Sequence, residues 1–322
     1  MKKLVYILLG LVLLTGCSRD DDGLTSAGTK ERVPLEILAS IHAQAEGGTR
    51  AAETSWDEGD EIGVYITNRN STTLYTNDET VVAENQLFTF SDGTNYETWG
   101  NTYRKFSAGS KKIYLSSAAA DVYGYYPYSA KKKDGITDLD PEAIDIDVSD
   151  QSKQEEIDFL MAKKGNVSDN NATIELLFQH RMVKLVFNLK QGEGLLTDEL
   201  KDATYLGMEI LNQPTKATYN LFVDAFSNYA THGNIIPAKV TAAPTGYVRT
   251  YEAIVLPNGI GNPTVDRTVT VTYYHKDTDI ITNTFKIPAA TQFNAGYKYT
   301  FNVTVNATSI KVNTVNEYTE QW

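Results

Sequence analysis

The sequence has a single cysteine, Cys17, among its 322 residues. One cysteine cannot form a disulfide within its own chain, and it cannot supply a CxxC redox motif or a multi-cysteine zinc site. A chain of this length without internal crosslinks has to be held together by its hydrophobic core. The sequence therefore excludes the class of small, disulfide-stapled secreted domains and predicts a body that buries a core of its own.

Histidine is also scarce. The four histidines lie far apart in the sequence, at His42, His180, His232 and His275. No HExxH, GxSxG or P-loop pattern occurs, so the spacings typical of a zinc site, a nucleophile elbow and a phosphate-binding loop are missing. We therefore predict that the chain is not an enzyme and has no catalytic residues, no bound metal and no cofactor. For His180, which lies where two predicted strands meet, we expect a packed structural role.

One group of aspartates leaves a calcium site open as an alternative. The group comprises Asp138, Asp140, Asp145, Asp147 and Asp150. Its spacing is not that of an EF-hand, and no glycine supports the sharp turn that such a loop needs. The simpler interpretation is a strand whose apolar residues face a core while the aspartates between them face water, with Ile144, Ile146 and Val148 as the core-facing residues.

Positive charge is in short supply relative to negative charge. The chain has 29 lysines and arginines against 41 aspartates and glutamates, which gives a net charge of −12. Such a surface repels the phosphate backbone of nucleic acids and the headgroups of anionic lipids. We therefore expect no nucleic-acid partner, and any contact with a membrane has to come from an attached lipid.

The N-terminal residues are typical of an export signal. Lys2 and Lys3 precede an apolar run at residues 4–14, which is shorter than the roughly 20 residues of a spanning helix. The sequence Leu-Thr-Gly-Cys that ends at Cys17 resembles the lipobox of bacterial lipoproteins, in which the cysteine becomes the lipidated first residue. The alternative is an ordinary signal peptide with an incidental cysteine. We predict a signal peptide at residues 1–16 and lipidation at Cys17.

The residues after the predicted signal are polar and acidic. Ser-Arg-Asp-Asp-Asp at residues 18–22 resembles the signal that moves some lipoproteins to the outer face of the outer membrane. The alternative is a solvated tether, and the two interpretations are compatible. We predict an acidic tether at residues 17–32 and a surface-exposed location at the cell outer membrane.

The rest of the chain alternates apolar and polar residues with a period of two, and helical periodicity is nearly absent. The clearest strand patterns lie at residues 33–41, 62–66, 173–178, 183–189, 269–273 and 297–305. These segments are rich in Val, Ile, Thr, Tyr and Phe, and turn residues such as Asp92-Gly93 and Asn294-Ala295-Gly296 separate such segments. The pattern predicts an all-β sandwich or barrel. Two strands follow each other almost without a loop near residues 178–180, which predicts a domain boundary there.

Several motifs resemble those of the fimbrillin-like family, the subunits and relatives of type V pili. In chain order they are GGTRAA at 47–52, WDEGDEIGVY at 56–65, YYPY at 125–128, DFLMA at 158–162, FQHRMVKLVF at 178–187 and FNAGYKY at 293–299. The resemblance implies two tandem transthyretin-like β-sandwich domains, which we place at residues 33–179 and 180–322. It also implies a structural and adhesive role in a fimbrium, with other fimbrial subunits as partners in a homo- or hetero-polymer.

The resemblance further implies assembly by strand exchange. A protease would cut after Arg50, the first strand at residues 33–43 would leave, and a strand from another subunit would replace it. The tail at residues 307–322 is the candidate donor, with Ile310, Val312 and Val315 as the candidate apolar residues. Two alternatives stay open, because Arg50 also fits an ordinary surface arginine and the tail also fits an edge strand of its own domain. The alternation breaks after Val312, and Val315 is out of phase.

The aromatic residues support a rival hypothesis. A flat patch of aromatic rings on a surface lipoprotein would bind sugars, and the candidates are Tyr123, Tyr125, Tyr126, Tyr128, Trp56 and Trp99. Tyrosines at alternate strand positions more commonly belong to a core. The alternative function is therefore a lipoprotein that binds a glycan or a protein at the cell surface and never polymerises.

Overall fold

The computed structural model describes residues 33–42, 55–77, 80–130, 139–202, 206–257, 266–275, 279–314 and 320–321. The predicted signal peptide and tether lie outside these residues, as do Cys17, Arg50 and Val315. Residues 33–322 form one compact unit.

The described chain is almost entirely β-structure, as the period-two pattern predicts. In order, the elements are β1 (Glu36–Ile41), β2 (Glu61–Asn68), β3 (Thr76–Asn77), β4 (Thr80–Val81), β5 (Gln86–Thr98), β6 (Asn101–Ser107), β7 (Ala120–Tyr126), β8 (Ile144–Asp147), α1 (Gln154–Ile157), β9 (Leu160–Val167), β10 (Thr173–His180), β11 (Val183–Gln191), α2 (Glu199–Asp202), β12 (Leu206–Asn220), β13 (Ala225–Ile235), β14 (Ala238–Lys239), β15 (Arg249–Val255), β16 (Arg267–His275), β17 (Asp279–Ile287), β18 (Tyr297–Val305), β19 (Ile310–Thr314) and β20 (Glu320–Gln321). The two helices are single turns, so the all-β prediction is confirmed.

The N-terminal strands close into a barrel in the order β1-β10-β9-β7-β2-β5-β6, and β6 pairs back onto β1. Its interior is filled by apolar side chains from every strand, because alternate residues of each strand point inwards. Large residues that are almost completely buried include Ile37, Ile62, Ile66, Phe88, Phe106 and Phe178.

Two further sheets form the C-terminal part. One has the order β14-β15-β11-β18-β19, with β20 also paired to β18, and the other has the order β13-β12-β16-β17. They share one hydrophobic core, in which Phe187 and Val303 from the first sheet meet Ile210 and Val271 from the second. This arrangement is a sandwich of two sheets.

The strand β8 crosses from one part of the chain to the other. It precedes residue 180 in the sequence, yet it pairs antiparallel with β12 of the second C-terminal sheet. As predicted, Ile144 and Ile146 are buried while Asp145 and Asp147 are exposed. The division of the chain into two transthyretin-like domains at residue 180 stays a prediction.

Two predicted turns have different outcomes. The turn at residues 294–296 is confirmed, and Gly296 adopts φ 76° there, where an added Cβ would lie 2.8 Å from the carbonyl oxygen of His180. The turn at Asp92-Gly93 is wrong, because both residues lie inside β5. The chain reverses instead at Trp99 and Gly100, which both have positive φ, as a type I′ hairpin turn requires.

Candidate functional site

The first strand, β1, closes the barrel. It pairs in parallel with β10, from Glu36 opposite Thr173 to Ile41 opposite Phe178, and antiparallel with β6, where Ile37 lies opposite Phe106. A closed barrel has no unpaired edge, so β1 satisfies the backbone groups of β6 and β10 that would otherwise form two edges. Removal of β1 alone would therefore open a slot between these two strands.

The inward side chains of β1 are fully part of the barrel core. Leu35 and Ile41 are each 7% exposed, while Ile37 and Ala39 have no exposed surface. Burial of the three large side chains contributes about 1.5–3 kcal/mol each. Removal of β1 would therefore leave three deep apolar pockets, where the large side chains lie, and one shallow pocket at Ala39.

Backbone and charged contacts fix both ends of this strand. The N–H of Leu35 donates to the carbonyl oxygen of Ile113 at 2.8 Å, and the N–H of His42 donates to that of Phe178 at 2.7 Å. The ammonium group of Lys105 on β6 lies 2.9 Å from the carboxylate of Glu36. This hydrogen bond raises the pKa of Lys105. The ion pair is partly exposed and therefore screened by water, so its contribution to the stability of the barrel is small.

A cleft of about 530 Å³ lies beside the end of β1. Ile41, Trp56, Asp60, Tyr126 and His180 contribute to its lining. Burial raises the pKa of the Asp60 carboxyl, which accepts a hydrogen bond from the Tyr126 hydroxyl at 3.3 Å. The segment that contains Arg50 leaves the described chain after His42 and returns at Ser55, so both of its ends lie at this side of the barrel.

Two of the three predicted donor residues, Ile310 and Val312, lie at the other end of the chain, on β19, and Val315 lies outside the described residues. This strand pairs antiparallel with β18, with Ile310 opposite Val305 and Val312 opposite Val303. Both side chains are half-buried and pack against the core of the sandwich. In the described part of the chain β18 is the only strand paired with β19, so the other edge of β19 has no strand neighbour. The isolated chain thus holds the tail as an edge strand of its own sheet.

The histidines do not form a site. His180 is buried, as predicted, and its Nδ1 lies 2.9 Å from a carboxylate oxygen of Asp158. His275 pairs with Glu199 at 2.7 Å, His42 ends β1, and His232 is exposed on β13. Within the described residues no group of three or more His, Cys, Asp or Glu side chains could hold a metal ion.

The aromatic platform proposed for glycan binding is not assembled. Tyr123, Tyr125 and Trp56 are at most 5% exposed, and Tyr126 is only half-buried at the cleft. Trp99 is 92% exposed at the tip of the β5–β6 hairpin. Tyr128 is half-buried as well. Three of the six candidates are thus buried, so a platform of all six rings is wrong, and binding of a glycan or a protein stays a prediction.

None of the helices in the described segments is long and apolar enough to cross a membrane. The fold and the first strand together define the chain as an all-β protein whose barrel is closed by its own N-terminal strand. Comparison with known sequences identifies its family. The chain belongs to the fimbrillin-like family, whose model matches residues 49–322.

Known relatives agree with this assignment. A protein of Bacteroides uniformis, named as a candidate fimbrium subunit, Fim1C, is 33% identical over 231 residues, which cover 69% of this chain and 66% of that protein. The match thus spans slightly less than two thirds of the relative's length.

Two crystal structures share the fold. A candidate cell adhesion protein from Bacteroides uniformis has a TM-score of 0.63 at 23% identity and covers 91% of this chain and 99% of its own. A second such protein, from Bacteroides ovatus, has a TM-score of 0.59 at 19% identity and covers 90% of this chain and 98% of its own.

The sequence alone did not reveal the role of Trp56 in the barrel. Its indole contacts the rings of Phe106 and Phe178, with 5.1 Å between ring centroids in each pair. Trp56 is not part of any strand, so the period-two pattern carries no signal for it. Only the position of Trp56 shortly before β2 hints that it packs against the barrel.

Proposed function

We propose that this chain is a structural and adhesive fimbrial subunit that is exported as a lipoprotein and assembled by protease-triggered strand exchange. One observation carries the proposal: the N-terminal strand β1 is the strand that closes the barrel. A single cut in the segment after β1 would convert an intramolecular strand into a replaceable one. Membership of the fimbrillin-like family supports other fimbrial subunits as the partners.

Export and anchoring rest on the N-terminal sequence. Lys2, Lys3 and the apolar residues 4–14 precede Leu-Thr-Gly-Cys, so we propose lipidation at Cys17 and display at the surface of the outer membrane. The Cys17→Ser variant lacks the thiol that accepts the lipid. It should incorporate no labelled fatty acid and should leave the outer-membrane fraction. Lipid on the Cys17→Ser protein would show that another residue carries the anchor.

Processing would occur after Arg50, in the segment that joins His42 to Ser55. Arg50 is followed by Ala51 and preceded by Gly47, Gly48 and Thr49, a polar, glycine-rich stretch of the type that proteases cut. The cut chain would keep β1 only through noncovalent contacts. Their burial energy is about 5–9 kcal/mol for three large side chains, so a competing strand has to supply a similar set of contacts.

Treatment of the folded protein with an arginine-specific protease tests the processing step. We expect a stable body that starts at Ala51, and we expect resistance in the Arg50→Lys and Arg50→Ala variants. Arg249, which is half-buried and whose guanidinium donates to the carbonyl oxygen of Lys201, is the internal comparison site. Cutting at Arg249 with Arg50 spared would place processing elsewhere.

The tail would act as the donor to the next subunit. Ile310 and Val312 face the same side of β19 and are half-buried, so their transfer into a deeper groove would increase apolar burial. The main-chain hydrogen bonds lost from β18 would be replaced by those to the new neighbours. A chain that lacks residues 309–322 should therefore fold but fail to donate. Unfolding of the truncated chain would assign the tail to its own domain instead.

A further inference from the structure

Removal of β1 would open a slot between β6 and β10, which we call the acceptor groove. The side chains that line this groove distinguish one incoming strand from another. The two strands that flank β1 each carry a phenylalanine: Phe106 on β6 lies opposite Ile37, and Phe178 on β10 lies opposite Ile41. The position halfway between, Ala39, lies opposite Leu176 on β10. Ala39 thus lies directly between Leu176 on β10 and Arg104 on β6, with one phenylalanine diagonally adjacent on each side.

Trp56 contacts both of these phenylalanines. Neighbouring strands lie about 4.8 Å apart, so β6 and β10 are about 10 Å apart across β1. The Trp56 ring centroid lies 5.1 Å from that of Phe106 and 5.1 Å from that of Phe178. Phe106 and Phe178 lie opposite the residues two before and two after Ala39, so we infer that an indole in contact with both rings lies beside Ala39.

The space around Ala39 is filled from the opposite wall as well. Gly124 on β7 is so close to this region that an added Cβ would lie 2.7 Å from the Phe178 ring and 3.0 Å from the Leu176 side chain. Trp56 is 5% exposed and Ala39 is not exposed at all. A side chain larger than that of alanine at this position would therefore collide with a closely packed interior.

We propose that Trp56 is a specificity-determining residue of the acceptor groove and that it selects donor strands with a small residue at the position of Ala39. This inference rests on the proposed strand exchange. The preferred donor has large apolar residues at the positions of Leu35, Ile37 and Ile41 and alanine, glycine or serine at the position between the last two. The partner is thus a strand whose alternate, inward-facing residues are large, large, small and large in size.

The tail of this chain does not have that pattern. Its adjacent in-phase apolar residues are Ile310 and Val312, and the next residues in phase on either side are Thr308 and Thr314. When Ile310 and Val312 occupy the two successive large positions, a β-branched threonine faces Trp56, whichever direction the strand takes. A different fimbrial subunit with a small residue at that position therefore fits the groove better than a second copy of this chain.

Peptide exchange tests the inference without relying on cleavage at Arg50. A recognition site for a sequence-specific viral protease is inserted between Arg50 and Ala51 of the full chain, which is then nicked. Fluorescent peptides compete for the groove, and anisotropy reports their binding. The peptides are residues 33–42, the same peptide with Ala39→Leu, the same peptide with Val33→Leu as a matched control at an exposed position, and the tail residues 306–316.

We expect the peptide of residues 33–42 and its Val33→Leu control to exchange into the nicked chain with similar affinity. The Ala39→Leu peptide should bind at least about tenfold more weakly, because overpacking of a filled core has a penalty of that order. The tail peptide should also bind more weakly than residues 33–42. Equal affinity of the Ala39→Leu peptide, or a tail peptide as tight as residues 33–42, would overturn the inference.

Variants of the acceptor show whether Trp56 is the cause. The Trp56→Leu variant opens space beside Ala39. It should reduce the tenfold difference in affinity between the peptide of residues 33–42 and its Ala39→Leu version to less than threefold. The Trp56→Phe variant replaces it if the leucine variant does not fold. An unchanged difference would assign selectivity to another residue and contradict the inference. If the peptide of residues 33–42 does not exchange at all, the proposed groove is wrong. Exchange in the engineered chain combined with resistance of Arg50 to natural cleavage would contradict only the processing step.

Discussion

The first and last long strands of the described chain, β1 and β19, differ in what holds them. The strand β1 has a paired neighbour on each side and inward side chains that are at most 7% exposed. The strand β19 pairs with β18 alone, and its apolar residues are half-buried. One strand is a core component, and the other lies along an edge.

This difference has a physical consequence for assembly. An edge strand can leave its sheet with a small loss of burial, whereas a central strand leaves only when something replaces it. The chain therefore carries a strand suited to donation at one end and a strand suited to replacement at the other. Cleavage after β1 would remove the covalent link but leave the burial energy, so the proposed exchange would be driven by the incoming strand.

The largest expected effect concerns the core of β1. The Ile37→Ala variant removes a side chain with no exposed surface, so the free energy of unfolding should fall by about 2–5 kcal/mol. Urea denaturation with the Glu36→Gln variant as control measures this change. A loss below about 1 kcal/mol would show that β1 is not an integral part of the barrel.

A smaller effect on stability is expected at the edge strand. Because Val312 is half-buried, Val312→Ala should lower the free energy of unfolding by about 1 kcal/mol. By contrast, Val312→Asp should abolish filament assembly in cells that express the whole fimbrial system, since a charge would enter an apolar groove. Lys311→Glu, at the exposed neighbouring position, is the matched control. Normal filaments with Val312→Asp would exclude this tail as the donor.

The smallest effect is expected for the ion pair at the start of β1. Both side chains are partly exposed, at 30% for Lys105 and 41% for Glu36, and the screened pair should contribute less than about 1 kcal/mol. Denaturation of Lys105→Met at low and high salt measures this contribution, and the difference from the unmodified protein should shrink at high salt. A loss as large as that from Ile37→Ala would mean that charge, not burial, holds β1.

Much of the β-structure follows from the sequence, because the period-two pattern reports which face of a strand is buried. In β16 and in the second half of β18 buried residues alternate with half-buried ones, whereas β2 and β11 are buried on both faces, which their period-two pattern does not report. The pattern says nothing about which strands become neighbours. The parallel pairing of β1 with β10, across more than 130 residues of chain, and the crossing of β8 to β12 depend on long-range packing.

The candidate site was only partly predictable. Alternation identifies β1 as a half- or fully buried strand, and motif resemblance points to the segment around Arg50. Neither reveals that the barrel closes through β1 or that Trp56 packs against Phe106 and Phe178, because both depend on contacts between distant residues. The aromatic residues mislead for the same reason: composition cannot tell a buried tyrosine such as Tyr125 from an exposed ring.

The most direct test of the account is the N-terminus of the subunit in shed surface filaments, measured by N-terminal sequencing and intact mass spectrometry. Strand exchange after cleavage predicts a chain that begins at Ala51 and lacks residues 33–42, with the barrel intact. A filament subunit that begins at a lipidated Cys17 and retains β1 would contradict the account.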